Sequence, residues 1–144
     1  MSEAARLYTP EMLGLAVELA RWPALPDAAW HGSARSAACG STIDMDIDLD
    51  GTGRVVALGM RVRACAVGQA AAAIFARQSA GLDPARLPEV LAELERWIAG
   101  DAEMPAWPDL QIIAAARNFP GRHGAMLLPW RAAVAALSTS DQTV

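Results

Sequence analysis

Residues 43–65 read IDMDIDLDGTGRVVALGMRVRAC, and they decide the fold. Ile43, Met45, Ile47 and Leu49 alternate strictly with Asp44, Asp46, Asp48 and Asp50. Successive side chains of a strand point to opposite faces, so this period of two predicts a strand with its apolar face on a core and its aspartate face in water. Asp50-Gly51-Thr52-Gly53 has the residues of a tight reversal, and Arg54 to Ala64 is expected to return as the antiparallel partner. Arg35 to Cys39 is expected to add a third strand.

The aspartates invite a second reading, because Asp46-x-Asp48-x-Asp50-Gly51 looks like the start of a calcium-binding EF-hand loop. That loop needs a bidentate acid at its twelfth position, which here is Ala57, and a helix before it. The alternation before Asp50 is that of a strand, so calcium is rejected and a solvated strand face is expected.

Outward from the hairpin the pattern turns helical. Ala66 to Ala80 is alanine-rich with Val67, Ile74 and Phe75 among it, and Gly81 is expected to end it. After Asp83-Pro84, with Pro88 suited to a first turn, Val90, Leu91, Leu94, Trp97 and Ile98 share one helical face up to Gly100. A loop at 101–108 precedes a short helix over Asp109 to Arg117. Residues 118–124 form another loop, and a last helix runs from about Met126 to Leu137. On the N-terminal side, Thr9-Pro10-Glu11 is a helix-start pattern for residues 9–21. A loop over 22–33 follows it, and the tail 138–144 is polar and expected to fray. Strands followed by a run of helices indicate α+β: a small antiparallel sheet of about three strands packed on one face by several helices. No repeat or long linker divides the chain, so residues 1–144 are expected to form a single domain with its core over about 7–137.

Composition narrows the function. Hydrophobic residues make up 53% and charged residues 19%, which fits a folded globular chain of 144 residues. No apolar run approaches the roughly 18 residues of a membrane span. Met1 to Arg6 lacks the basic start and apolar stretch of a secretory signal, so a cytoplasmic protein is expected. The net charge is −4 and all 12 basic residues are arginine. Without lysine there is neither a Schiff-base lysine nor a phosphate-binding loop ending in Lys-Ser/Thr. Scattered arginines on an acidic chain argue against nucleic acid as a partner.

Two cysteines remain, Cys39 and Cys65. In a reducing compartment they are free thiols or metal ligands rather than a disulfide, and two inert buried thiols is the plain alternative. The hairpin, however, would bring the loop before one strand and the end of the other to one sheet edge, and the thiols with them. Cys65 would also stand at a helix N-terminus, whose partial positive charge favours thiolate. Of the two histidines, His31 is expected to be an ordinary surface residue. His123 lies in the loop before the last helix, which presents a second helix N-terminus to the same region. Neither has a Gly-x-Ser-x-Gly elbow or a His-Glu-x-x-His helix beside it, and no catalytic constellation is visible.

These segments resemble a known family. Cys39-Gly40-Ser41 with the alternating strand, GMRVRACAVGQAAAAIFARQSA (Gly59 to Ala80) and FPGRHGAMLLPWRAAVAAL (Phe119 to Leu137) resemble, in order and spacing, the three cysteine segments of the U-type iron–sulfur cluster assembly scaffolds. These are IscU, SufU and the N-terminal domain of NifU. Tyr8-Thr9-Pro10-Glu11 and Leu25-Pro26 fit the family's N-terminal region, and Leu128-Pro129-Trp130 resembles its SufU form. The resemblance implies a non-enzymatic scaffold or sulfur acceptor. It would bind iron, zinc or a transient iron–sulfur cluster, with a cysteine desulfurase and iron–sulfur client proteins as partners. In the family three cysteines and an aspartate, sometimes a histidine, hold the metal. Here only Cys39 and Cys65 match. Ser41 stands for the aspartate, Ala125 for the third cysteine and Gly124 for the histidine; the chaperone-docking motif is not recognisable in Phe119 to Arg122. The expected ligand set is therefore Cys39 and Cys65, with His123 as the substitute that a loop movement could supply. A metal-free module docking on a desulfurase or another assembly partner is the alternative.

Overall fold

The alternating segment forms the middle strand of a three-stranded antiparallel meander in the computed structural model, which describes residues 7–138. Residues 1–6 and 139–144, including most of the expected polar tail, lie outside the described residues. Strand β1 is Trp30–Arg35, β2 is Thr42–Leu49 and β3 is Val55–Arg63, in that spatial order. The third strand thus lies earlier than expected, mostly within the stretch 22–33 read as a loop, and shares only Arg35 with the expected one. Residues 36–41 instead form a tight connection, with Ser36 N–H donating to the Ser41 carbonyl and Gly40 N–H to the Ser36 carbonyl, both at 2.8 Å. Gly40 takes φ 71°, a left-handed conformation that suits glycine. At the other end of β2, the Asp50 carboxylate accepts hydrogen bonds from Thr52 N–H, Thr52 Oγ1 and Arg54 N–H, which closes the hairpin turn.

The helices are α1 (Pro10–Glu18), α2 (Ala66–Arg77), α3 (Leu87–Ile98) and α4 (His123–Ser138). Thr9 caps α1 through its hydroxyl, which accepts from Met12 N–H at 3.2 Å. The expected helix over 109–117 is a 3₁₀ run, Leu110–Asn118. The last helix starts earlier than expected. Part of the stretch read as a loop over 118–124 is a short 3₁₀ turn at Pro120–Arg122 that leads straight into His123. Pro129 consequently lies inside the helix, and Ala125 is buried in its first turn.

Ile43, Met45 and Ile47 are buried on the helix-covered face of the sheet, as the alternation requires. Helix α4 lies against β1 so closely that a Cβ on Gly32 would stand 2.6 Å from the Ala132 carbonyl oxygen. Phe75, Trp107 and Trp130 lock α2 to α4. Phe75 stacks on Trp107 with centroids 5.6 Å apart, and Trp130 meets both edge-on. Such pairs add about 0.5–1.5 kcal/mol each beyond the area they bury.

The aspartate face departs from the expectation of a solvated surface. Asp46 is only 2% exposed. The segment between α1 and β1 crosses it. Leu25 N–H donates to Asp46 Oδ2 at 2.7 Å, Ala29 N–H donates to Asp48 Oδ1 at 2.8 Å, and His31 Nδ1 lies 2.6 Å from Asp46 Oδ1. Gly59, opposite Asp46 on β3, makes the crossing possible. A Cβ there would meet the Pro23 carbonyl oxygen at 2.5 Å and Leu25 N at 2.7 Å, both backbone atoms that cannot turn aside. The strand pattern named the face correctly; a loop then took half of it.

Candidate functional site

Strands β1 and β3 both end at the same edge of the sheet, since Arg35 and Arg63 each pair with Thr42. The chain leaves β1 into the 36–41 connection, which carries Cys39, and leaves β3 into Cys65, the N-cap of α2. The meander thus sets both thiols at one end of the sheet, as the hairpin argument anticipates. Both are free and half-buried.

Ser41 joins them. Its Oγ accepts the backbone N–H of Cys65 at 3.2 Å and lies 3.1 Å from Cys39 Sγ. An oxygen that takes the amide proton on one side keeps its own hydroxyl proton for the other. Ser36 lies on the opposite flank, with Oγ 3.4 Å from Cys39 Sγ. A protonated thiol donates to these oxygens, and once the proton leaves, both hydroxyls can turn to donate to the thiolate. Ser36 and Ser41 are 2% and 3% exposed, so these donors are fixed by packing rather than free to swing in solvent.

The effect on acidity follows. Partial burial pushes the Cys39 thiol up, since desolvation disfavours the charged form. The hydrogen bonds from the Ser36 and Ser41 side chains, the Ser41 backbone and the nearby charge of Arg122 outweigh it. They bring the pKa down from 9.0 to about 7. Arg122 comes from the turn before α4. It is held charged first by its hydrogen bond to Tyr8, and then by the electrostatic pull of Cys65 and, more weakly, of Cys39. A guanidinium therefore acts on both sulfurs, from a position where the sequence offered no signal. Ser36 and Tyr8 were equally silent; Ser41 was visible only as a substitution for an aspartate.

The third segment is shaped by Ser36. A Cβ on Gly124 would come within 3.1 Å of Ser36 Cβ and still closer to its Oγ, so a side chain at 124 and the buried Ser36 compete for one space. Ala125 lies against α2, where a Cβ added at Gly68 would meet Ala125 Cβ at 3.6 Å. His123 is engaged elsewhere. Its Nε2 is 2.7 Å from the Arg117 carbonyl oxygen, and since a carbonyl only accepts, Nε2 carries the proton and Nδ1 keeps the free lone pair of the ring. Cys39 and Cys65 are brought together through Ser41, while the hydrogen bond shown for His123 is to Arg117. Among the described residues no group of three or more His, Cys, Asp and Glu side chains is gathered to hold a metal ion. The donor set does not fit zinc or a [2Fe–2S] cluster within one copy, since each takes four ligands.

No family model matches the sequence, and no curated protein matches it. Solved structures do. A nitrogen-fixing NifU-like protein (N-terminal) from Brucella abortus superposes with a TM-score of 0.88 at 23% identity, over 99% of this chain and 100% of that one. A candidate iron–sulfur cluster assembly scaffold protein for the SUF system of the thermophile Fervidobacterium islandicum AW-1 gives a TM-score of 0.77 at 22% identity, over 91% of this chain and 96% of its own. At these identities the likeness speaks for the backbone, and on that ground the chain has the fold of the U-type iron–sulfur cluster assembly scaffolds.

Proposed function

We propose that this protein serves iron–sulfur cluster assembly as a sulfur acceptor, taking sulfur from a cysteine desulfurase on Cys39. The observation that carries the reading is the hydrogen bonding of Ser41. An aspartate at that position would be a metal ligand and would place a negative charge beside Cys39. A serine that accepts from Cys65 N–H and faces Cys39 Sγ at 3.1 Å stabilises a bare thiolate instead. The same logic applies to Arg122, a fixed cation that offsets thiolate charge without being a metal. Two cysteines fall short of a four-ligand centre, but sulfur transfer needs one nucleophilic thiolate.

The step is an exchange at sulfur. The Cys39 thiolate attacks the outer sulfur of a persulfide on the donor, the donor's sulfur–sulfur bond breaks, and the donor cysteine leaves as thiolate. The transferred sulfur arrives with its proton, which then passes to the departing donor thiolate or to solvent, and the hydroxyls and Arg122 that stabilise the thiolate also suit the resulting anionic persulfide on Cys39. No electrons are gained or lost overall. Cys65, held beside Cys39 through Ser41, is the second thiol of the site. The chain acts as a carrier rather than a turnover catalyst, and iron and finished clusters are cargo for which a single copy lacks the ligands.

The experiment is incubation with a cysteine desulfurase and cysteine, followed by alkylation and mapping of persulfides by mass spectrometry. One added sulfur on Cys39, absent from Cys39→Ser, is the expected result. Equal labelling of wild type and Cys39→Ser would remove the reading. Desulfurase binding with no labelling at all would leave the fold as a docking module.

A further inference from the structure

The outer face of the sheet is half covered. The segment crossing Asp46 and Gly59 closes one half, and the other half, at the cysteine end, is open. The register places Arg35, Thr42 and Arg63 in its terminal row and Ser33, Asp44 and Arg61 in the next. Strand alternation points all six to the face away from the helices. Arg35, Arg61 and Arg63 are exposed, and none has an ion-pair partner among the described residues. Asp44, the one carboxylate in these rows, already accepts from Ser33 Oγ at 2.6 Å. On a chain of net charge −4, three exposed guanidiniums thus share these two rows with a single carboxylate, Asp44, which lies opposite Arg61. Arg63 lies two residues before Cys65 and Arg35 four before Cys39, so the chain carries both cysteines at the same end of the sheet as this patch.

We propose that this arginine face is the docking surface for an acidic surface of the protein that delivers sulfur to Cys39. The identity of that partner rests on the sulfur-acceptor reading; the charge of the surface it presents does not. Sulfur exchange requires the donor persulfide to reach Cys39 at bonding distance, so the donor must cover whatever adjoins the thiol. At this end of the sheet the open strand surface bears three arginines, whose planar forks suit carboxylates. Unpaired like charges at this spacing repel one another until an acidic partner arrives, and complementary charge chiefly speeds encounter and fixes orientation. Three cations without interleaved aromatic residues are too few to favour nucleic acid.

The test uses protein carrying Cys39→Ser and Cys65→Ser, in which no sulfur chemistry is possible, and measures its affinity for a cysteine desulfurase. Arg35→Gln, Arg61→Gln and Arg63→Gln are added together, with the three Arg→Lys changes as a charge-preserving control. The expected result is a loss of about tenfold or more in the Gln variant, partial recovery in the Lys variant, and a comparable loss for the parent when salt rises several-fold. Affinity unchanged by the Gln substitutions, or no binding by the parent, would overturn the proposal. So would arginine-dependent self-association by light scattering, or arginine-dependent binding of a single-stranded oligonucleotide, at lower concentration than the desulfurase. Loading of Cys39 by free cysteine persulfide, measured with both cysteines retained, separates the two readings. It is expected to stay within about twofold in the Gln variant, because a small donor needs no docking face. If neither donor loads Cys39 while arginine-dependent binding persists, the sulfur-acceptor reading fails and the docking surface stands.

Discussion

At the scale of single residues, Ser41 determines what kind of site this is. Its hydroxyl ties the amide of Cys65 to the sulfur of Cys39, and together with Ser36 and Arg122 it brings the Cys39 pKa down from 9.0 to about 7. A thiol depressed in this way loses its proton as pH rises through about 7, so alkylation of Cys39 by iodoacetamide should increase with pH about that midpoint. Ser41→Ala removes a donor to the thiolate and should move the midpoint upward, and Ser36→Ala should act in the same direction; an unmoved profile would contradict the hydrogen-bond account. The linkage to stability has the opposite limit from that of a salt-bridged histidine. Because the folded-state pKa lies below the unfolded one, the contribution is full above the unfolded value and is lost as pH falls through about 7. The complementary test restores a ligand set. Ser41→Asp with Ala125→Cys should give a protein that binds about one zinc per chain by elemental analysis, at a folding cost of about 1–3 kcal/mol for the added sulfur in a filled position. Failure to gain zinc would mean that the backbone of the third segment, and not only its side chains, has left the metal geometry.

At the scale of elements, the aspartate strand shows what a periodic pattern can and cannot disclose. Alternation assigned Ile43, Met45 and Ile47 to the core and the aspartates to the other face, because side-chain direction is a local property of extended backbone. It could not disclose that residues 22–29 would lie across that face, since this depends on contacts between segments about twenty residues apart. Gly59 was the available hint: a glycine inside a strand often marks close approach of another backbone. Asp46 is therefore a structural carboxylate, and Asp46→Ala should lower unfolding free energy by about 1–3 kcal/mol by leaving the part-buried Leu25 N–H unpaired. Denaturant unfolding checks this, with Asp44→Ala, on the open part of the face, expected within about 0.5 kcal/mol of wild type. The misplaced first strand has a similar cause. Trp30, Gly32 and Ala34 do alternate toward α4, but residues as small as glycine and alanine carry little hydrophobic signal. The start of α4 was hidden because Pro120, Gly121 and Gly124 give residues 118–124 a loop-like composition, although the helix begins at His123.

At the scale of the whole molecule, a meander sheet shielded on one face by helices presents two thiols at one end and an open basic half-face beside them. Much of this was legible, because the fold class, the hairpin and the convergence of Cys39 and Cys65 follow from periodicity and turn chemistry. The incomplete ligand set was legible from the residues standing at the family's positions. What the sequence did not carry was the replacement: Ser36, Arg122 and Tyr8 come from three segments remote in sequence, and only the folded chain brings their effects to bear on two sulfurs. His123 is the substitute ligand expected from its place near the vacant cysteine position, and its ring is oriented by the Arg117 carbonyl, a contact with no sign in the sequence. The central claim is that this site stabilises sulfur with hydrogen bonds and a guanidinium in place of a metal. The most direct measurement is the metal and acid-labile sulfide content of anaerobically purified protein before and after reconstitution with iron and sulfide, with Cys39→Ser and Cys65→Ser in parallel. The account predicts metal and sulfide well below one per chain throughout, with wild type no different from the variants. Near-stoichiometric zinc, or iron with matching sulfide, that disappears in either variant would contradict it.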